Sequence, residues 1–528
     1  MVAPASLIES VRAWMAVDPD PDTRAELESL LAADDTAALA ERFDGRLQFG
    51  TAGLRGAIGA GPMRMNRVTV RRAAWGLVRY LLDTVPGAAD TGIVIGYDAR
   101  TNSDVFARDT AAVAAELGMR SVLIGGVVPT PVLAFQVSEL GAAAGVMVTA
   151  SHNPPQDNGY KVYLPDGSQI ISPHDTEISA RIDRAPADVP VAADDDALIS
   201  VMTVADARRP YLAQLPAGTA GVTVAYTPLH GVGGEVLMEG FAHAGLPTPY
   251  VVAEQFAPDR HFPTVAFPNP EEPGAMDLVM QLAADHGAGL ALANDPDADR
   301  LAAAIPTPDG GWRRLGGDEL GWLLADHVLR TTSGDDRLVV TTVVSSSLLG
   351  KMAAAHGVQY AETFTGFKWI AATIRQYPNA RPVFAYEQSL GYLVSPRPLD
   401  KDGISAAVVM ASLAADAAAK GETLQGRLDA LAERYGRHVI VDHSVAMAPA
   451  AGKAAVAAVR DSAPTTLGGH PVTDVVWFDE AGLLRIECGA AGRVQLRPSG
   501  TEPKVKIYAE GVDTDPTALL EAAVALIA

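Results

Sequence analysis

Short apolar runs alternate with longer amphipathic, alanine-rich stretches along most of the chain. From about residue 91, the runs IVIGY, SVLIGG and AAGVMV flank helix-like stretches at 104–118 and 130–140. The alternation restarts at VTVAY (222–226) and again at RLVVTTVV (337–344). Strands that alternate with helices predict sheets joined by crossover helices. The pattern therefore predicts three similar α/β units in series.

The last stretch differs because its apolar runs lie close together. VIVDHSVAM, VVWFDE, LLRIEC, RVQLRP and KVKIYAE follow one another before one terminal helix, which predicts a small antiparallel α+β domain. A chain of 528 residues also exceeds what one hydrophobic core organises. We therefore expect three mixed-sheet α/β domains and a smaller α+β domain around one central cleft, at residues 1–200, 201–316, 317–438 and 439–528.

Composition narrows the class of protein. The net charge of -22 disfavours nucleic acid or an anionic membrane as a partner. Several arginines and lysines nevertheless lie in Gly, Ser and Thr-rich segments, which suits a small anion such as a phosphorylated metabolite. No segment reads as a signal peptide or a membrane span, and Cys488 is the only cysteine. We expect a cytoplasmic protein, monomeric or homodimeric, without nucleic acid or membrane partners.

Each predicted domain places one unusual loop directly after a strand. The loops are TASHNP after AAGVMV, DPDADR after LALAN, EQSLGY after PVFAY and RPSGTEP after RVQL. In open α/β sheets, ligand-binding residues collect beyond the carboxyl ends of strands. These loops are therefore the predicted ligand-binding segments.

Ser151 lies in the first loop, where its hydroxyl could act as a nucleophile. A turn or N-cap serine is the alternative, because Ser, Asn and Pro favour turns in any case. A Ser-His hydrolase is disfavoured, since His152 is adjacent in sequence and no G-x-S-x-G elbow surrounds the serine. Lys161 could exchange a proton with a hydroxyl if its pKa were lowered; otherwise it is an ordinary surface lysine.

The second loop has aspartates at three alternate positions, Asp295, Asp297 and Asp299. They would repel one another without a cation, which favours a metal site over a solvated acidic turn. An EF-hand is unlikely, because Arg300 and Pro306 occupy the positions that need glycine and glutamate. Few protein oxygens leave room for a phosphoryl oxygen, which suits Mg²⁺. One aspartate could instead be a phosphatase-type nucleophile.

The other two loops carry groups suited to a phosphate and a sugar. Arg497, Ser499 and Thr501 offer a guanidinium and two hydroxyls beside a flexible backbone, the ingredients of a phosphate nest. Glu387 and Ser389 could hydrogen-bond adjacent sugar hydroxyls. An ordinary strand-to-turn junction and a solvated loop are the respective alternatives.

Taken in order, these loops resemble the α-D-phosphohexomutase superfamily, which includes phosphoglucomutases and phosphomannomutases. The resemblance covers nearly the whole chain, and the ordered set is very specific although each motif alone is weak. It looks most like the branch of bacterial enzymes and phosphopentomutase-like eukaryotic relatives. The motifs are FGTAGLRG (49–56), TASHNPPQDNGYKVY, TPLHGVGG (227–234), DPDADR, TGFKWI (365–370), EQSLGY, DKDG (400–403) and RPSGTEPKVKIY (497–508).

The resemblance implies a role for each matching residue. Ser151 would be a phosphoserine whose phosphate holds Mg²⁺ together with the three aspartates. Arg55 and Lys161 would act as electrostatic stabiliser and acid/base, and His152 would support the serine loop. The substrate would be bound by Arg300, Thr365, Gly366, Lys368, Glu387, Ser389 and Lys401 and, at its non-reacting phosphate, by Arg497, Ser499, Gly500 and Thr501.

The implied reaction moves a phosphoryl group between two hydroxyls of one sugar through a bisphosphorylated intermediate. Glucose 1-phosphate and glucose 6-phosphate are the expected pair, with glucose 1,6-bisphosphate as activator. Mannose phosphates and pentose phosphates are alternatives, and a non-catalytic sugar-phosphate binding protein is the rival from another class.

Two positions depart from the commoner hexomutase pattern. Pro296 and Ala298 stand where glycines are usual, which we expect to stiffen the metal loop harmlessly. Tyr392 lies near the position where several relatives carry a histidine that assists the sugar. This second departure leaves acid/base assignment and sugar preference open.

Overall fold

Three helices precede the first sheet, and strands then alternate with helices. The computed structural model describes residues 5–499 and 503–527. The three N-terminal helices, which the sequence pattern did not predict, bury Val11, Trp14, Leu27 and Leu39 in a separate small core that also includes Ala60 and Val68. The first elements are α1 (Ala5–Val17), α2 (Pro21–Ala32), α3 (Thr36–Phe43), β1 (Leu54–Ala57), α4 (Arg67–Thr84), α5 (Ala88–Thr91), β2 (Ile93–Tyr97), α6 (Ser103–Glu116), β3 (Ser121–Ile124), α7 (Thr130–Glu139), β4 (Ala144–Val148), β5 (Asp157–Tyr163), α8 (His174–Ile182) and β6 (Ile199–Met202).

The first sheet is mixed and has the strand order β1-β5-β4-β2-β3-β6. β4, β2, β3 and β6 are parallel, whereas β5 is antiparallel to both β4 and β1. Ile95 and Val146 of the sheet pack with Val78 of α4 and Phe106 of α6 in one core. Because β2 and β4 are parallel neighbours, the loops that follow them leave the sheet at the same edge.

The second sheet has the order β11-β10-β9-β7-β8. β7, β8 and β9 are parallel, and β10 turns back antiparallel beside β9, so residues 295–300 form a tight reversal. Its elements are α9 (Val204–Ala213), β7 (Val224–Thr227), α10 (Gly234–His243), β8 (Tyr250–Val251), α11 (Ala253–Phe256), α12 (Asp277–Asp285), β9 (Leu290–Asn294), β10 (Leu301–Pro306) and β11 (Trp312–Arg314).

A third alternation of helices and strands follows. β12 is parallel to β13 on one side and to β14 on the other. The elements are α13 (Gly317–Thr331), β12 (Arg337–Thr342), α14 (Leu348–Ala355), β13 (Gln359–Thr363), α15 (Phe367–Arg375), β14 (Arg381–Glu387), β15 (Gly391–Leu393), α16 (Gly403–Ala419) and α17 (Leu424–Tyr435).

The C-terminal part is an antiparallel sheet of order β16-β22-β21-β20-β19, with a separate β17-β18 hairpin. The prediction of one terminal helix is incomplete, because a second helix, α18, packs Val456 and Val459 into the same core. The elements are β16 (His438–Ala446), α18 (Pro449–Asp461), β17 (Thr466–Leu467), β18 (His470–Pro471), β19 (Asp474–Phe478), β20 (Leu483–Glu487), β21 (Arg493–Pro498), β22 (Lys504–Val512) and α19 (Thr517–Ile527), with 3-10 turns at Asp479–Ala481 and Gly489–Ala491.

The chain folds into two compact units. The first unit contains the chain up to residue 315 together with residues 390–419, and the second contains residues 316–389 and the chain from residue 420 onward. β15 and α16 thus belong to the first unit. Within residues 5–499 and 503–527, no single helix is both long and apolar enough to cross a membrane. The predicted class, mixed α/β sheets followed by a smaller α+β domain, is confirmed.

Candidate active site

The serine loop begins where β4 ends, so Ser151 lies at the carboxyl end of a parallel strand. Its hydroxyl donates a hydrogen bond to Asp295 Oδ2 (2.7 Å) and lies 3.1 Å from His152 Nδ1. Ser151 is 3% exposed and has a φ of 51°, in the left-handed region that residues other than glycine rarely enter. A buried, strained serine aimed at a carboxylate is typical of a functional position rather than of a relaxed surface turn.

The aspartate loop is the reversal between β9 and β10. The backbone N–H of Arg300 donates to Asp295 Oδ1 (3.0 Å), and Asn294 donates from Nδ2 to the Arg300 carbonyl (2.6 Å). All three aspartates are fully buried, and one oxygen of each lies within 4.8 Å of one oxygen of the others. The carboxylates therefore converge on one point, as a shared cation requires.

Two lysines and a threonine reach the aspartates from elsewhere in the first unit. Lys161 Nζ donates to Asp297 Oδ2 (2.7 Å) and to Asp299 Oδ2 (2.9 Å). Lys401 Nζ donates to Asp299 Oδ2 (2.7 Å), and Thr130 Oγ1 donates to Asp297 Oδ2 (2.6 Å). Lys161 is only 5% exposed and so is not an ordinary surface lysine. Lys401, which we expected to bind substrate, places its ammonium group on the aspartate loop.

Burial and neighbouring charges shift the pKa values of the aspartates and of Lys161 in different directions. Burial raises the pKa of Asp295 well above its usual value, and the carboxylates of Asp299 and Asp297 raise it further. Burial also opposes the ionisation of Asp297, but the ammonium of Lys161 outweighs it and lowers the pKa of Asp297. In Lys161, burial lowers the pKa, but the carboxylates of Asp297 and Asp299 more than offset it and the pKa is raised. Lys161 is therefore a protonated ammonium in the free protein.

Two aspartate oxygens point to a metal ion. Among the residues that the structure describes, Asp297 Oδ1 and Asp299 Oδ1 are buried without a hydrogen-bond partner. A buried polar atom left without a partner costs about 1–3 kcal/mol, so such oxygens usually bind something other than the protein. Together with Asp295 they form an oxygen-only donor set of the kind that Mg²⁺ prefers. The residues present thus fit a divalent cation.

Arg55, His152 and Arg300 surround the serine and the aspartates. Arg55 donates from Nη1 to Asn153 Oδ1 (3.0 Å). Burial and then the charges of Arg300 and Arg55 lower the pKa of His152 well below its usual value, so its ring is neutral. Arg300 pairs with Glu271 at 3.3 Å. The first unit thus brings together all the predicted catalytic and metal-binding residues with two of the predicted substrate-binding residues, Arg300 and Lys401.

In the second unit, a cavity of about 580 Å³ gathers three of the predicted substrate-binding residues. Thr365 comes from the turn between β13 and α15, and Arg497 and Ser499 come from the end of β21. Trp477 and Lys453 also line the cavity. The acidic residues Asp479 and Glu480 line the cavity as well. Its two cationic groups and its hydroxyls suit the phosphate of a phosphorylated sugar.

The remaining predicted residues of the second unit lie near β14 and α15. The backbone N–H of Gly366 donates to Glu387 Oε2 (3.1 Å), so these two residues are direct neighbours. Lys368 lies in the first turn of α15, and Ser389 follows the end of β14. Gly500 and Thr501 lie outside the described residues.

Sequence reasoning missed residues whose partners are far away along the chain. Thr130 bonds Asp297 across 167 positions, and no local pattern reports such a contact. Arg100, which follows β2, donates to the carbonyl of Ser151 at 2.6 Å. Its position just beyond the carboxyl end of a parallel strand is a feature that could have identified it.

Four family models match this chain in order. The α/β/α domains I, II and III of phosphoglucomutase/phosphomannomutase match residues 46–188, 210–310 and 316–435, and the C-terminal domain matches residues 446–527. This chain belongs to the phosphoglucomutase/phosphomannomutase family. It is an enzyme of the phosphosugar mutase type, as the sequence motifs predicted.

The relatives of this phosphosugar mutase are named for different sugars, and their similarity extends along most of its length. A probable phosphomannomutase of Haemophilus influenzae is 42% identical over 86% of this chain and 94% of its own length. The phosphopentomutase of Homo sapiens is 35% identical to this chain, and the glucose 1,6-bisphosphate synthase of Homo sapiens is 34% identical. Each match covers 96% of this chain and 91% of the relative. A solved family protein from Burkholderia thailandensis shares the fold, with a TM-score of 0.70 at 21% identity over 90% of this chain and 95% of that one.

The two departures from the hexomutase pattern have structural consequences. Ala298 has a φ of 57°, a conformation that glycine adopts freely and that costs other residues roughly 1–2 kcal/mol. The loop is therefore strained as well as stiffened at this position. Tyr392 is fully buried, and its carbonyl accepts a hydrogen bond from the Asp402 N–H at 2.8 Å.

Proposed function

We propose that this mutase interconverts the 1-phosphate and the 6-phosphate of a hexose, with glucose as the favoured sugar, through a phosphoserine at Ser151. The observation that carries the proposal is the hydroxyl of Ser151, 2.7 Å from Asp295 Oδ2 and beside the two unpartnered aspartate oxygens. A phosphate on this hydroxyl would complete an oxygen-only set for Mg²⁺. A cytoplasmic location and a monomeric or homodimeric state belong to the same proposal.

The first transfer moves the phosphoryl group from the serine to the sugar. The bond between phosphorus and Ser151 Oγ breaks as a bond from phosphorus to the free sugar hydroxyl forms. Ser151 Oγ gains a proton and the hydroxyl loses one. We assign both proton movements to Lys161. Its pKa is raised and not lowered, so it begins as an ammonium that gives a proton to the departing Oγ, and the amine formed in this way takes the proton of the sugar hydroxyl. Arg55 stabilises the negative charge that spreads over the transferring group.

The second transfer is the reverse reaction at the other end of the sugar. The bisphosphorylated sugar turns around, and its other phosphate returns to Ser151 Oγ, which restores the phosphoserine. Glucose 1,6-bisphosphate supplied from outside would therefore prime an enzyme that has lost its phosphate. Mg²⁺, when bound to Asp295, Asp297 and Asp299, would neutralise charge on the phosphoryl oxygens.

The second unit supplies groups for the phosphate that is not reacting. Arg497 and Ser499 line the cavity of about 580 Å³, where a guanidinium and a hydroxyl suit phosphate oxygens. Thr365 in the same cavity, together with Gly366, Lys368, Glu387 and Ser389, would bind sugar hydroxyls. A binding site that recognises the phosphate and not the carbon that carries it would bind the 1-phosphate or the 6-phosphate of the sugar in turn.

Pentose phosphates are the second candidate substrates. The observation that favours them is the similarity to human phosphopentomutase over 96% of this chain. The chemistry at Ser151 would be identical, because only the distance between the two phosphorylated oxygens changes. Mannose phosphates are supported in the same way by the relative from Haemophilus influenzae.

The test is an assay of the purified protein with Mg²⁺, a trace of glucose 1,6-bisphosphate and glucose 1-phosphate, ribose 1-phosphate or mannose 1-phosphate in parallel. We expect glucose 6-phosphate to form without release of inorganic phosphate, and one added phosphate to map to Ser151 by mass spectrometry. A higher kcat/KM for ribose 1-phosphate would move the assignment to a phosphopentomutase. Stoichiometric release of phosphate, or a phosphate that maps to another residue, would refute the mechanism.

A further inference from the structure

The guanidinium of Arg100 holds the serine loop by its carbonyl oxygens. Nη2 donates to the carbonyls of Ser151 (2.6 Å) and Asn153 (2.6 Å), and Nη1 donates to the carbonyls of Pro154 (2.8 Å) and Asp157 (3.1 Å). Arg100 itself is 4% exposed. One buried cation thus binds three carbonyl groups of residues 151–156, which have no regular backbone pairing, and the carbonyl of the first residue of β5.

The guanidinium is itself fixed from two other directions. Its Nε lies 3.5 Å from Asp98 Oδ2, and the other oxygen of Asp98 accepts from the Arg100 N–H (3.0 Å) and from Ser103 Oγ (2.7 Å). The ring of Phe262, from the second sheet's part of the chain, lies 5.0 Å from the guanidinium carbon. Arg100 is therefore held in place by β2 and its following loop and by the same region that supplies the aspartates.

These contacts act directly on the conformation of Ser151. One of the two carbonyls that Arg100 binds at 2.6 Å belongs to Ser151, the residue with a φ of 51°. A left-handed conformation costs a serine roughly 1–2 kcal/mol, and it persists only where the surroundings determine it. The hydrogen bond to the Ser151 carbonyl fixes the peptide plane after Ser151, and the Ser151 N–H, in the peptide plane before it, donates to Thr149 Oγ1 (2.9 Å). The direction of the Cα–Cβ bond, and hence of Oγ, is then set from both sides.

We propose that Arg100 is a positioning residue for phosphoryl transfer, which holds Ser151 in the conformation that aims its Oγ at Asp295. The inference rests on the proposed function of Ser151. The alternative is that Arg100 only stabilises the fold. The two differ in what they predict for a folded variant, because a misplacement of about 1 Å at a reacting atom can cost about 100-fold in rate, whereas a purely structural residue leaves kcat unchanged.

The experiment compares Arg100→Ala, Arg100→Lys and the wild type with glucose 1-phosphate, Mg²⁺ and glucose 1,6-bisphosphate. We expect kcat to fall about 100-fold in R100A and by a smaller factor in R100K, because an ammonium cannot reach all four carbonyls in the planar fork of a guanidinium. KM should stay near the wild-type value, because Arg497 and Ser499 are untouched. Millimolar guanidinium chloride should restore part of kcat in R100A, and sodium chloride at the same ionic strength should not.

Arg71→Met is the matched control. Arg71 is a largely buried arginine of the same domain that pairs with Asp109 at 2.8 Å, and its side-chain hydrogen bonds within the described residues go to Asp109 and not to the serine loop. R71M should lower the melting temperature and leave kcat unchanged. If R100A does not fold, Phe262→Leu loosens the guanidinium without removing a donor, and it should lower kcat at constant KM.

The outcomes separate this inference from the proposed function. Wild-type kcat in folded R100A or R100K, or in F262L where R100A does not fold, would overturn the role of Arg100. So would a lowered kcat in R100A that guanidinium does not restore. A wild-type protein without mutase activity or without phosphate on Ser151 would instead refute the proposed function, before any variant is compared.

Discussion

The serine and aspartate site of the first unit and the cavity lined by Arg497 in the second unit differ in how deeply their charged groups are buried. Around Asp297 and Asp299 the lysines and a threonine are buried and hydrogen-bonded before any substrate arrives. In the cavity of the second unit, Lys453 is exposed and Arg497 is only partly buried. Phosphoryl transfer depends on preorganised groups. A sugar that must be bound at either end needs room and groups free to reach it.

Ser151→Ala should give the largest loss, because it removes the proposed phosphoryl acceptor altogether. We expect kcat to fall by roughly 10⁴-fold or more, as is usual when a nucleophile is deleted. The measurement is mutase activity together with incorporation of phosphate from labelled glucose 1,6-bisphosphate. Both should disappear, whereas glucose 1-phosphate should still bind.

Ser412→Ala controls for the loss of a buried serine hydroxyl. Ser412 Oγ donates to the carbonyl of Val408 (2.9 Å) inside α16, so S412A should keep kcat and its phosphate incorporation. Substantial mutase activity in S151A would show that the preorganised site of the first unit is not where the transfer occurs.

The second-largest effect is expected from Asp297→Asn, which should weaken metal binding. Asp297 Oδ1 has no hydrogen-bond partner among the described residues. The substitution replaces this negatively charged carboxylate ligand by a neutral amide. Removal of supporting groups around metal sites commonly costs about 10–100-fold in affinity, so we expect at least a comparable rise in the Kd for Mg²⁺. Titration calorimetry of the protein with MgCl₂ measures this without reference to activity.

Asp309→Asn is the matched control for D297N. Asp309 is an exposed turn aspartate bonded to Thr307, and its loss should leave the Kd unchanged. An equal Mg²⁺ affinity in D297N and the wild type would mean that the buried carboxylates are held by the lysines alone. The contrast between the two regions would then concern charge pairing and not a metal.

The sequence predicted this architecture where local pattern determines structure. AAGVMV and LALAN became β4 and β9, and the serine and aspartate loops follow the carboxyl ends of these strands, as expected for ligand-binding loops. The prediction omitted α1–α3 and α18, which lie outside the alternation of strands and helices from which the α/β domains were inferred. It also could not find Thr130 or Arg100, whose partners lie 167 and 51 positions away. Side-chain contacts over such distances depend on how sheets pack, which no local spacing encodes.

Arg497→Met should act on binding and not on chemistry. A charge-assisted hydrogen bond contributes about 1.5–3 kcal/mol, which corresponds to a rise of about 10–100-fold in KM. We expect kcat to change little, because Ser151 and its partners are untouched. Steady-state kinetics in both directions should show the same increase for the 1-phosphate and the 6-phosphate, since either phosphate would occupy this cavity in turn.

Arg460→Met offers a control in the same domain. Arg460 stacks on the Trp477 ring at 4.8 Å and pairs with the exposed Asp461, so it borders the cavity without lining it. R460M should leave KM near the wild-type value. A fall in kcat at constant KM in R497M would contradict the division between a site for transfer and a site for binding.

Asp318→Asn should produce the smallest effect, and this effect should be on stability alone. It tests whether the two units hold their buried carboxyl groups in different charge states. Asp297 is ionised beside Lys161, whereas burial raises the pKa of Asp318 in the second unit to about 7. Asp318 Oδ1 accepts from the Ser346 N–H (2.7 Å) and the Tyr386 hydroxyl (2.7 Å). An asparagine keeps that acceptor and mimics the protonated carboxyl, so mutase activity should be retained.

The pH dependence of unfolding has a definite sign here. Between the unfolded pKa of about 3.8 and the folded pKa of about 7, the folded state binds the extra proton. Asp318 therefore lowers the free energy of unfolding as pH rises through that window, by at most about 1.4 kcal/mol per pH unit, and adds no further loss above it. Urea unfolding of the wild type and D318N at pH 5, 6, 7 and 8 should show the difference in favour of D318N growing up to about pH 7 and then levelling. A constant difference would mean that Asp318 is ionised throughout and that both units hold their buried carboxylates in the same charged state.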